Sequence, residues 1–310
     1  MLKTALFMRP HTESLRDGTV TPRTFDFDFE EVPDVPAMIK AFRRMVRSLD
    51  FDLSEMAMTT YLCARAYGRP FTAIPVFPMR AFHHGAILYN TQAGVRTPKD
   101  LEGKRVGVKR GYTVTTGLWA RGILQHEHGV DLGAVTWVLS GDEHVAEYRP
   151  PANTVSIEPG RTLEQLLASG EIAAAIGVQV DSPDVKPLIP NAREAAFEVL
   201  RQRGLYPINH TVVVRNDRLE ANPDLPADLF NAFAEAKRIY VRRLKEGGVA
   251  APDPVHAGVM DITGDPLPYG IEPNRTTLDA IVQYSVEQGI LREPVAVDDL
   301  FPRSTLALTA

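Results

Sequence analysis

Apolar and polar residues alternate along the chain in two different periods, and the two take turns. Short apolar runs bounded by Gly, Pro or polar turn residues predict strands at "KTALFM", "TFDFDFEEV", "FTAIPVF", "HGAILYN", "KRVGVK", "VTWVL", "AAAIGV" and "HTVVVRN". Between them, apolar positions recur at helical spacing over 36–48, 54–67, 113–128, 162–169 and 226–246. Strands that alternate with helices in this way predict α/β layers with largely parallel sheets.

Two polar, turn-rich stretches read as seams. "NTQAGVRTPKDLEGK" precedes a fresh strand and helix, and "DSPDVKPLIPNA" falls before "GLYPINHTVVVRND". One lobe inserted within another accounts for both: a first lobe from 1–95 and 210–310, and an inserted second lobe at 96–209.

Composition narrows the class. A net charge of −5 is too mild for nucleic acid or an anionic membrane as the main partner, and no basic tract appears. The single cysteine, Cys63, excludes an intramolecular disulfide framework. No apolar run approaches the roughly 18 residues needed to span a bilayer, and "MLKTALFMRPHTESLRDG" lacks the apolar core of a secretory signal, which points to a cytoplasmic protein. Walker A, GxGxxG and GxSxG patterns are absent from suitable contexts, so nucleotide-driven and serine-hydrolase chemistry are set aside.

From about residue 50 the chain resembles a known architecture. "FDLSEMAMTTYLCARAYGRPFTAIPVFPMRAFHHGAILYN" is similar to the type 2 periplasmic-binding-protein fold, and "TPKDLEGKRVGVKRGYTVTTGLWARGIL" to the start of its second lobe. The blocks "DLSEMAMTTY", "AIPVFPMRAFHHG", "EPGRTLEQLLASGEI", "GLYPINHTVVVRND" and "GDPLPYGIEPNRTTLDAIVQYSVEQGI" resemble the 4,5-dihydroxyphthalate decarboxylase family in the expected order. Ala173 stands where related sequences often carry an acidic residue. The resemblance implies two α/β lobes with mixed sheets flanked by helices and a cleft between them.

Physical reading of the residues gives the candidates. Ser54 has the chemistry of a helix cap with Glu55 in the first turn, and such an end attracts a carboxylate; Glu55 either binds a hydroxyl, acts as a base, or is a solvated acid. In "KRGYTVTTG", Arg110, Tyr112, Thr113 and Thr115 bring a cation, hydroxyls and helix-end amides to one turn, a second place for a carboxylate. Arg80 precedes the pair His83 and His84, one of which is expected to be structural because neighbours on an extended segment point to opposite sides. Asn209 and His210 lie where the chain crosses back, and His11 follows the first strand; a hinge role and an exposed loop are the respective bland alternatives. "GDPLPYGIEPNR" reads as a structural clasp.

The resemblance implies non-oxidative decarboxylation of a hydroxylated aromatic dicarboxylate, 4,5-dihydroxyphthalate giving 3,4-dihydroxybenzoate and carbon dioxide. Arg80 and Arg110 are expected to hold carboxylates, with Ser54, Tyr112, Thr113, Thr115 and Asn209 around the substrate. His83, His84 or His210 is expected to donate the proton, and Glu55 or His11 to polarise a ring hydroxyl. No cofactor and no metal ligands are predicted, a metal requirement is left open, and the partner is a small aromatic carboxylate; a homo-oligomer is compatible with the sequence. The alternative is a solute-binding protein for an aromatic acid or a ligand resembling a thiamine precursor.

Overall fold

A computed structural model describes residues 1–250 and 252–310. In chain order the elements begin with β1 (Leu2–Ala5), α1 (Glu13–Arg16), β2 (Phe27–Glu30), α2 (Val35–Ser48), β3 (Leu53–Ala57), α3 (Met58–Ala66), β4 (Phe71–Arg80) and β5 (Ile87–Asn90). The middle of the chain forms β6 (Arg105–Val108), α4 (Thr115–His126), β7 (Thr136–Leu139), β8 (Thr154–Ser156), α5 (Leu163–Ser169), β9 (Ala174–Ile176), β10 (Val185–Pro187) and α6 (Ala192–Arg203). It closes with β11 (Ile208–Arg215), α7 (Asn216–Ala221), α8 (Leu225–Lys245), α9 (Pro254–Thr263) and α10 (Arg275–Glu287).

The chain divides into two compact units. Met1–Ala81, Ile208–Asp279 and Val295–Ala310 form the first; Phe82–Pro207 and Ala280–Pro294 form the second. Residues 82–95, grouped with the first lobe from sequence, fall in the second unit, because β5 pairs with β9 and β10. Residues 280–294 also belong to the second unit, inside what the sequence reading treated as a continuous return segment.

The first unit is built on a five-stranded sheet in the order β2-β1-β3-β11-β4. β1 runs parallel to β2 and β3, and β11 is antiparallel to both β3 and β4. The carboxyl ends of β1, β3 and β4 therefore share one sheet edge with the start of β11. α2 is set by Asp34, whose carboxylate accepts from the Ala37 amide at 2.7 Å, and by Pro36 near its start. Its buried stripe of Met38, Ala41, Phe42, Met45 and Val46 covers the sheet's interior side chains.

Helix 54–67 of the sequence reading begins later, at Met58, and Ser54 and Glu55 lie within β3. The physical reason is the position of β3 between β1 and β11: Leu53 through Met56 are all buried, so the alternation that marks a half-exposed strand is missing. Ser54 caps no helix; its hydroxyl donates to the Glu55 carbonyl at 2.7 Å.

The second unit carries a six-stranded sheet in the order β10-β5-β9-β6-β7-β8. β9, β6, β7 and β8 are parallel to one another, whereas β5 is antiparallel to β9 and β10. α5 is fixed by a reciprocal cap between Thr162 and Gln165 and ends at Gly170 in the left-handed region. Its Leu163, Leu166 and Leu167 pack with Val138, Ile172 and Ala175. No helix among the described residues is long and apolar enough to cross a membrane.

Candidate active site

At the carboxyl edge of the first unit's sheet, three charged or titratable side chains meet. Glu55 is 1% exposed, and its two oxygens are fully engaged. Arg9 approaches it in a fork, Nη2 to Oε1 at 2.7 Å and Nη1 to Oε2 at 2.9 Å, while the Phe7 amide donates to Oε2 at 3.2 Å. His210 places Nδ1 2.5 Å from Oε1.

The strand register explains the meeting. In β11 Val212 lies opposite Glu55 and His210 opposite Ala57, so Glu55 and His210 are diagonal neighbours on one face of the sheet. Burial alone would raise the pKa of the Glu55 carboxyl, but the Arg9 charge and the His210 bond outweigh it and hold it at about 2. Glu55 is thus an anion whose Oε1 accepts a hydrogen bond from Nδ1–H, which leaves Nε2 as the ring nitrogen not engaged by Glu55. The Phe42 ring packs edge-on against the imidazole at 5.2 Å, restricting its rotation.

Arg80 ends β4 at the same edge and is buried. Its Nη1 donates to Asn274 Oδ1 at 2.5 Å and to the Pro268 carbonyl at 3.4 Å. Asn274 in turn donates to the Pro268 and Gly270 carbonyls at 2.9 and 2.8 Å, so one amide side chain ties the "PLPYG" loop to the arginine. Asn209, also buried, precedes His210 in β11 at an irregularity in the pairing with β4.

His11 is placed differently. Its Nε2 lies 2.9 Å from the Pro78 carbonyl, and its ring meets Tyr240 and His256 edge-on at 5.6 and 6.1 Å. Burial, then the charges of Arg9 and His256, push its pKa down to about 3. A neutral His11 therefore donates to a backbone carbonyl and sits in an aromatic cluster, where Tyr240 and His256 share a 2.8 Å hydrogen bond.

In the second unit the remaining candidates fall into two groups. His83 and His84 are both buried, at the start of a single 3-10 turn over His84–Ala86 rather than on an extended segment. His84 Nε2 is 2.9 Å from Glu127 Oε2, just past the end of α4, which gives this histidine a structural partner.

The second group is the turn before α4. Arg110 has a positive φ of 74°, and its amide donates to Ser140 Oγ at 2.8 Å; burial pushes the pKa of its guanidinium down. Thr115 is the first residue of α4, and Val114 occupies the cap position without a side-chain bond.

The amides expected to take a substrate carboxylate here hold a carboxylate of the chain itself. Glu143 accepts from the Tyr112 amide, from the Thr113 amide at 3.1 Å and from Thr113 Oγ1 at 2.5 Å. Gly111 makes this possible, since a Cβ there would fall 2.6 Å from the Glu143 carboxyl carbon. Beneath the turn, Arg121 is fully buried, donates to the Tyr112 carbonyl at 2.8 Å and to Gln288 at 2.8 Å, and lies 3.8 Å from the Tyr112 ring centroid.

Arg9, Asn274 and Glu143 were not singled out from sequence. Arg9 carried a readable signal, a charged residue just past the first strand where open α/β sheets place ligand contacts. Glu143 carried none, because it lies some 30 residues from its partners. No group of three or more His, Cys, Asp or Glu side chains among the described residues is arranged to hold a metal ion.

Two units, each a mixed sheet flanked by helices, define a protein of the periplasmic-binding-protein-like class, and solved structures agree. The desulfurization enzyme DszB matches with a TM-score of 0.52 over 98% of this chain and 97% of its own, at 15% identity. The alkanesulfonate-binding protein SsuA from Xanthomonas axonopodis pv. citri, bound to MOPS, matches with a TM-score of 0.50 over 89% of this chain and 88% of its own, at 14% identity.

Among curated proteins, a 4,5-dihydroxyphthalate decarboxylase from Comamonas testosteroni is 36% identical over 219 residues, 66% of this chain and 66% of that protein. A second from Pseudomonas putida is 36% identical over 149 residues, 46% of this chain and 57% of that protein. Over these stretches the chain is similar to the 4,5-dihydroxyphthalate decarboxylases. The aligned stretches span just under two thirds and somewhat over half of these relatives' lengths. No family model matches the sequence.

Proposed function

We propose that the protein is a carboxy-lyase that removes one carboxylate from a hydroxylated aromatic dicarboxylate without oxidation, with 4,5-dihydroxyphthalate giving 3,4-dihydroxybenzoate and carbon dioxide. The similarity to these decarboxylases supports the reaction class, and the buried Glu55–His210 pair at the carboxyl edge of the first sheet is the observation that carries the chemistry.

The reaction needs a base, an acid and an anchor. Each ring hydroxyl of this substrate is para to a carboxylate. Loss of the hydroxyl proton lets the phenolate push electron density to the carboxylated carbon, which takes up a proton and becomes tetrahedral. The bond to the carboxylate then breaks, its electrons restore the aromatic ring as a phenolate, carbon dioxide leaves, and the phenolate takes a proton from water.

His210, oriented by Glu55 through Nδ1, supplies Nε2 as the group that accepts the hydroxyl proton and returns one to ring carbon. Glu55 stabilises the imidazolium formed on the way, as a buried carboxylate does for a catalytic histidine. Arg80 brings positive charge to the carboxylate that stays, and Ser54 and Asn209 flank the same strands. The turn that carries Arg110, Tyr112, Thr113 and Thr115 already holds the carboxylate of Glu143 and is given no substrate contact in this reading. His11 keeps β1's exit attached to β4, and His83 and His84 shape the turn after it.

The test is direct. Purified protein incubated with 4,5-dihydroxyphthalate is expected to release carbon dioxide and 3,4-dihydroxybenzoate in equal amounts, followed by chromatography and headspace analysis. Tight binding with no carbon dioxide would instead make the chain a solute-binding protein.

A further inference from the structure

Tyr269 is the buried titratable group that the proposed chemistry leaves unused. Its backbone is fixed on every side: its amide donates to the Ala310 carbonyl at 2.7 Å, its carbonyl accepts from the Ala310 amide at 3.2 Å, and the next amide, of Gly270, donates to Pro75 in β4 at 2.8 Å. The preceding Pro268 carbonyl accepts from Arg80 and Asn274. The Lys237 ammonium lies 5.2 Å from the centre of the ring and is itself paired with Asp265 at 2.7 Å.

The side chain is 0% exposed, yet its hydroxyl has no hydrogen-bond partner among the described residues. A phenylalanine would fill this space without leaving a polar atom unpaired, so the hydroxyl calls for a partner from outside the chain. Burial, with Arg9, Asp265, Glu55 and Arg80 as the charges that act on it, raises the pKa of the phenol, so it remains a neutral donor. Two of those neighbours are carboxylates, and Arg9 is already committed to Glu55 in a fork. A ring hydroxyl, able to accept from the phenol and to donate to a base, suits a neutral donor beside the Glu55 carboxylate, and leaves Arg80 for the ligand's carboxylate.

We propose that the Tyr269 hydroxyl donates a hydrogen bond to a ring hydroxyl of the bound aromatic acid, making Tyr269 the residue by which the site tells a hydroxylated ring from a bare one. This rests on the aromatic-acid reading above. A site built to bond a substrate hydroxyl discriminates strongly against analogues that lack it, because its own polar group is then left unpaired.

The experiment compares wild type and Tyr269→Phe by calorimetric titration with 3,4-dihydroxybenzoate and with benzoate, neither of which carries the second carboxylate to be lost, and records thermal melting of both proteins. Wild type is expected to bind the dihydroxy acid roughly tenfold or more tightly, one hydrogen bond's worth. Tyr269→Phe is expected to hold the two ligands within about threefold, with benzoate affinity unchanged and a melting temperature no lower than wild type. The proposal is overturned if the variant keeps the preference, if it loses affinity for both ligands alike, if its melting temperature drops by several degrees, or if wild type shows no preference or binds neither ligand. Failure of the decarboxylation assay with the preference intact would sink the carboxy-lyase reading and leave Tyr269 in its assigned role.

Discussion

Arg9, Glu55, His11 and His210 show how one sheet edge sorts side chains of similar chemistry into different work. Glu55 and His11 are both completely buried and both depressed in pKa, but for opposite reasons. Glu55 keeps its charge because Arg9 and His210 satisfy it against the cost of burial; His11 gives up its charge because burial and Arg9 disfavour a second cation. Both shifts act on stability in the same direction. A group whose folded pKa lies below its unfolded value binds protons preferentially in the unfolded chain, so stability is present above the unfolded pKa and lost as pH falls toward the folded one. For His11 that window runs from 6.5 down to about 3, and for Glu55 from 4.5 down to about 2. Denaturant midpoints measured in steps from pH 7.5 to 4 are expected to fall as the solution is acidified below about 6.5, before ordinary carboxylates titrate. His11→Gln, which retains a donor for Pro78, is expected to flatten the decline from pH 6.5 down to the lowest pH measured; an unchanged profile would show that His11 is not the group responsible.

At the level of elements, the turn before α4 is the feature whose chemistry depends most on distant residues. Glu143 closes the Tyr112 and Thr113 amides and the Thr113 hydroxyl, three donors of the turn that would otherwise be left to solvent or ligand. Hydrogen bonds to a charged group contribute about 1.5–3 kcal/mol each when buried, and this site is partly open. Glu143→Ala is therefore expected to destabilise the protein by about 2 kcal/mol, read by chemical denaturation, with Glu143→Gln recovering part of the loss. Equal stability of Glu143→Ala and wild type would show that the carboxylate adds nothing to the turn.

The same contrast marks what was legible in the sequence. β1, β4, β6, β7, β9 and β11 and the helices α2, α4, α5 and α8 follow from local periodicity and caps. β3 was hidden because it is buried from Leu53 through Met56, and α6 and α10 because they carry many polar residues for their length. Glu55 and His210 were both visible as candidates, but their pairing comes from a register between strands more than 150 residues apart, which periodicity does not encode.

For the molecule as a whole, the claim that holds the rest together is that a binding-protein-like fold has acquired a buried proton-transfer pair on its first sheet. The fold alone does not distinguish capture from turnover, since it is shared with a desulfurization enzyme and with a sulfonate-binding protein. What separates them is whether His210 moves a proton during each cycle. The decisive measurement is steady-state turnover of 4,5-dihydroxyphthalate by wild type and His210→Ala, with ligand affinity followed in parallel. Loss of a positioned acid–base group is expected to lower kcat by about 100-fold or more while KM changes by less than about threefold. A His210→Ala protein that turns over at the wild-type rate would contradict the account.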